Sequence, residues 1–79
     1  MILGLYSVYD EVAKEFSAPT LAKNDGVASR MFLNSISKLP NCSDLKLYQV
    51  GEFDVEDKIN PVHPWKPAME VPITSDEDK

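Results

Sequence analysis

The sequence predicts an α+β fold: a small antiparallel sheet covered by one amphipathic helix, with a Pro-rich extended C-terminal tail. Three stretches carry that prediction. "ILGLYSVY" near the start and "DLKLYQVGEF" in the second half read as strands, with aromatic and branched residues suited to a pleated, half-buried surface. Between them, "NDGVASRMFLNSISKLP" repeats apolar groups at helical spacing. One helix laid across an antiparallel sheet is a layer arrangement that buries all three.

In the first strand, residues 2–9, Leu3 and Leu5 point to one face and Ile2, Tyr6 and Val8 to the other. Apolar groups on both faces predict a central strand, or one buried by the helix on one side and by a partner on the other. Gly4 marks close packing or a bulge. In "DEVAKEFSAPTLAKN", Val12, Ala13 and Phe16 recur at helical spacing, but Pro19 excludes a long helix and holds Ala18 extended. A turn followed by an extended segment over residues 16–23 is expected, at a sheet edge because Pro19 has no N–H to donate. The helix starts at a cap supplied by Asn24 or Asp25. Its buried stripe is Val27, Ala28, Met31, Phe32, Ser35 and Ile36, with Arg30, Asn34 and Lys38 opposite. Lys38 in the last turn complements the helix dipole, and Pro40 ends the element. After the "NCSD" loop and the second strand, a turn around "DVED" returns the chain through "KINPV" as a short edge strand. Residues 1–60 form the single domain. Residues 61–79 are a Pro-rich and then acidic tail: four prolines between Pro61 and Pro72 favour a polyproline-like path, and "TSDEDK" reads as a disordered end.

A chain of 79 residues makes one domain. At this size only about 60% of the unfolded surface is buried, so an independent fold is marginal. The single Cys42 cannot form an internal disulfide, and one Cys with one His cannot build a structural zinc site. Self-association as a dimer or higher oligomer is the expected support. One unpaired thiol suits a reducing cytoplasm. No apolar run reaches the roughly 20 residues of a membrane span, and no basic region precedes the apolar N-terminus as in a signal peptide. The net charge is −5, and the deficit sits in residues 51–79, since residues 1–50 hold equal numbers of acids and bases. That balance weighs against tight, unaided DNA binding, in which phosphate contacts dominate affinity.

Three groups of residues are candidate sites. Asp54, Glu56 and Asp57, beside Glu52, could offer oxygens to a cation, but the spacing matches no EF-hand. Acids also build turns and guard sheet edges, and that is the expected role; no metal or cofactor is expected. His63 has no nucleophile or Gly-rich loop to work with, so no catalytic constellation is visible and the protein reads as a non-enzyme. "PVHPWKP" places Trp65 between Pro64 and Pro67, as an anchor onto its own or a neighbouring subunit, or as a partner hot spot. The third group is a nucleic-acid surface. Lys23, Arg30, Lys38 and Lys46 with Tyr48 supply charge plus stacking for a single strand, and Lys14, Tyr6 and Tyr9 are further candidates.

The segments also follow an order that resembles one family. "MILGLYSVYD" ends in Ser-x-x-Asp. "EFSAPTLAKNDGVASRMFLNSI" combines Phe-x-x-Pro with an Ala-x-Arg-x-Phe helix core, placing Arg30 and Phe32. "LYQVGEFD" matches Leu-Tyr-x-x-Gly-x-Phe-Asp, and a Pro-containing C-terminal segment follows. Over residues 1–72 this resembles the small non-structural protein of gokushoviruses, the single-stranded DNA phages of the Microviridae. The turn "VEDK" departs from it in lacking a Gly often found there. The resemblance implies a non-enzymatic protein of the host cytoplasm, acting in viral single-stranded DNA synthesis or in the switch from genome replication to packaging. It implies single-stranded DNA, or phage replication or capsid proteins, as partners, and carries over no catalytic residue. The rival reading is a homo-oligomeric adaptor that uses the Pro/Trp acidic tail and binds no nucleic acid.

Overall fold

The computed structural model describes residues 1–37 and 42–73. Strand β1, Ile2–Asp10, is the centre of a five-stranded antiparallel sheet. On one side it pairs with two short pieces, β2, Glu15–Phe16, and β3, Thr20–Ala22. On the other it pairs with β4, Leu45–Asp54, which in turn carries β5, Val62–Glu70. Helix α1, Asp25–Ile36, crosses one face, and a 3-10 turn, Cys42–Asp44, leads into β4.

The central placement of β1 and the edge placement of the Pro19 segment agree with the sequence reading. Asn24 is the helix cap: its side-chain oxygen accepts from Val27 N–H at 2.9 Å. The buried seam of α1 differs from the expected stripe. Ala28, Ser29 and Phe32 are buried and Val27, Leu33 and Ile36 half-buried, whereas Met31 is 43% exposed and Ser35 is exposed. The helix is rotated so that the small residues Ala28 and Ser29 meet the sheet. Lys38, expected as the dipole partner, lies outside the described residues, as do Pro40 and the acidic "TSDEDK".

The largest correction concerns the C-terminal segment. The return strand is not "KINPV", of which residues 58–61 precede it; it begins at Val62, the last residue of that stretch, and continues to Glu70. The Pro-rich stretch is extended as expected, but it is a strand of the sheet rather than a tail set apart at residue 60. Val71 N–H then donates to the Leu47 carbonyl at 2.9 Å, and its side chain is buried. Pro64 and Pro67 are tolerated because β5 is an edge strand. The pairing is broken midway: Gln49 faces Met69 and Gly51 faces Pro64, so Trp65 to Ala68 bulge out opposite Val50.

The core is Tyr6, Ala22, Ala28, Phe32, Leu47 and Val71, with Val8, Val27, Leu33, Ile36 and Leu45 against it. Tyr6 O–H donates to the Asp25 carboxylate at 2.7 Å and so ties β1 to the first turn of α1. Burial, reinforced by that hydrogen bond, pushes the Tyr6 phenol well above its ordinary pKa. Gly4 makes room for the ring, since a Cβ there would stand 2.7 Å from its Cζ and Oη atoms. No side chain among the described residues is fully enclosed. The molecule is 19 Å through its thinnest dimension, one helix over one sheet.

Candidate nucleic-acid interface

Strand alternation and pairing register decide which side chains share a face. Tyr6, Val8 and Leu47 face α1. Their neighbours Leu3, Leu5, Ser7 and Tyr9 on β1, and Lys46 and Tyr48 on β4, therefore face away from it. Register places more residues on this second face: Leu21 opposite Leu5, Phe16 opposite Tyr9, Phe53 opposite Leu3, and Val62 opposite Phe53. Among the described residues no helix covers it. Phe16 is 46% exposed, Leu21 39% and Val62 46%.

Three rings cluster at one end of this open face. Tyr9 and Phe16 centroids lie 4.8 Å apart, Phe16 and Tyr48 5.6 Å, and Tyr9 and Tyr48 6.1 Å, in tilted and edge-on arrangements. Such geometry is favourable between rings and leaves part of their surface open to a ligand. Tyr9 and Phe16 come from the two sides of one tight turn, and Tyr48 from β4. An Asp10 carboxylate that accepts from Val12 and Ala13 N–H shapes the turn after β1, and Lys14 completes it with a positive φ of 60°. Ser17 then holds the connector to β1: its N–H donates to the Val8 carbonyl at 2.8 Å, and its carbonyl accepts from the Ser7 hydroxyl at 2.7 Å. Lys46 pairs with Tyr9 and so stands beside the rings; Glu70 pairs with Tyr48 and brings the opposite charge.

The expected cation set is thus divided. Lys46 and Tyr48 share the open face. Lys23 is exposed just before the helix cap and Arg30 is exposed on α1, on the other side of the sheet. Lys38 lies outside the described residues. Tyr6 is a core residue, 3% exposed, and cannot stack on a base. Sequence reasoning missed Phe16, whose partnership with Tyr9 depends on a register that spacing does not reveal.

The acids of the β4–β5 turn organise backbone. Asp54 accepts from Glu56 N–H, and Asp57 accepts from both Ile59 and Asn60 N–H at 3.0 Å. Those two bonds, with a smaller contribution from His63 at 3.6 Å, hold the Asp57 carboxyl below the usual aspartate range. Glu56 pairs with the N-terminal amine at 3.4 Å on the surface. Trp65 is half-buried in the bulge of β5, with Pro64 and Pro67 exposed on either side.

A family profile described as Phage ORF5 protein matches residues 3–69. The chain belongs to this phage family. The match runs from β1 into β5. Neither a curated protein nor a solved structure is significantly similar to the chain. No helix of the described residues is long and apolar enough to cross a membrane.

Proposed function

We propose that this member of the Phage ORF5 family is a non-enzymatic accessory protein of the host cytoplasm that handles viral single-stranded DNA. The resemblance to gokushovirus non-structural proteins supports placing that role in single-strand synthesis or in the switch from replication to packaging. One observation carries the DNA contact: Tyr9, Phe16 and Tyr48 sit together with Lys46 on a sheet face that the helix leaves open. Rings beside a cation are what a single strand recognises, because every base has a stacking face and every linkage a charge. The net charge of −5 argues for modest, salt-sensitive affinity, with a replication or capsid protein supplying the rest.

The test is anisotropy of a labelled single-stranded oligonucleotide at several salt concentrations. Tyr48→Ala should weaken binding by roughly 5- to 150-fold, the effect of about 1–3 kcal/mol per stacked base. Lys46→Ala should lower the salt slope by about 0.7 if it contacts one phosphate. Arg30→Ala, on the far side, should change neither. Equal binding by all variants would defeat the assignment. The second reading, a protein adaptor, is favoured by Trp65 in its edge bulge; loss of a phage partner on Trp65→Ala, with no DNA binding by the wild type, would select it.

A further inference from the structure

We infer that the open face of the sheet is the seat of a second copy of this chain, stacked sheet on sheet with the helices outside. An antiparallel sheet with one solvated face normally shows polar residues there. This one shows Leu3, Leu5, Leu21, Phe53 and Val62 in addition to the aromatic cluster. Among the described residues that strand register places on it, the face carries one cation, Lys46, and one anion, Glu70, so the strands of two copies bring no net charge together although each chain carries −5 overall. At Gly51 the face carries no side chain, and the β5 backbone at His63 and Pro64 fills the space one would take. The strand residues of β1 to β5, each covering about 3.3 by 4.8 Å, give a footprint of about 520 Å² per copy. Two such faces remove more than about 1,000 Å², the level a specific interface needs. Sheets stacked this way pack about 10 Å apart, with inner side chains interdigitating.

The inference does not depend on the DNA reading, but the two share Tyr48 and its neighbours. If both hold, DNA and the second copy compete, and a single strand dissociates the dimer.

Light scattering with analytical ultracentrifugation, on the full chain across a wide concentration range, tests this. The expected result is a reversible monomer–dimer equilibrium. Leu21→Glu and Val62→Glu sit on outer strands at half-exposed positions, so the fold should survive, as circular dichroism can check, while the dimer is lost by tenfold or more in Kd. A thiol-specific crosslink between Leu21→Cys or Val62→Cys chains, made with Cys42→Ser, gives a second readout that does not require a destabilising charge. A chain that stays monomeric at every concentration, or a dimer indifferent to both Glu variants and uncrosslinked, overturns the inference. Adding a short single-stranded oligonucleotide separates the two readings. A stable dimer that binds no DNA ends the DNA reading alone, and a DNA-binding monomer ends the dimer alone.

Discussion

Gly51 shows how one residue sets the approach of two strands. A Cβ at this position would stand 2.5 Å from the His63 carbonyl oxygen and 2.9 Å from the Pro64 Cα. Both atoms are backbone, so neither can turn aside. Gly51→Ala should therefore force β5 away from β4 and lower stability by about 1–3 kcal/mol, the usual range for overpacking, as read from urea denaturation. Gly4 differs, because what it faces is the ring of Tyr6 rather than backbone. At this scale the sequence was partly legible. "VGEF" placed Gly51 in a strand, and Gly4 was recognised as a sign of close packing. What each glycine approaches was hidden, since His63 and Pro64 lie a dozen residues on. Likewise the companions of Tyr48 come from β1 and β2, and only the register brings Tyr9 and Phe16 to it.

The turn between β4 and β5 behaves as a small acid-sensitive element. Asp57 holds it through bonds from Asn60 and Ile59 N–H and faces His63, and its carboxyl titrates below the ordinary aspartate range. A depressed carboxyl contributes stability above its unfolded pKa, near 4, and loses it as pH falls through the lower folded value. The melting temperature of wild type should accordingly exceed that of Asp57→Ala at neutral pH, and the gap should close as pH drops below about 4. Among the elements, β1, α1 and β4 were readable because periodicity marks them. The helix was rotated from its expected face because the apolar count favoured Met31, while close helix–sheet contact favours small side chains such as Ala28 and Ser29. β5 was misread as a tail because its prolines suggest an unpaired chain. The pairing survives them at an edge, where one side of the strand needs no partner.

For the whole molecule, the placement of β5 changes what a truncation means. Removing residues 61–79 takes away an entire strand together with Val71, one of the six core residues. The shortened chain should lose its cooperative melting transition instead of surviving as an intact domain. Circular dichroism on heating measures this directly, and an unaltered transition would show that β5 is dispensable. Such a chain has little stability to give up, since small domains stand only about 5–15 kcal/mol above unfolding. The prolines of β5 carry one more consequence. An edge strand with free N–H groups invites another strand to add beside it, and repetition of that step makes a fibre. Pro64 and Pro67 offer no such groups, and the bulge from Trp65 to Ala68 interrupts the row further. Growth along that edge is blocked, whereas a face stacked on its own twin is used up once two molecules meet. Assembly by the inferred pairing terminates at two copies instead of propagating along the β5 edge.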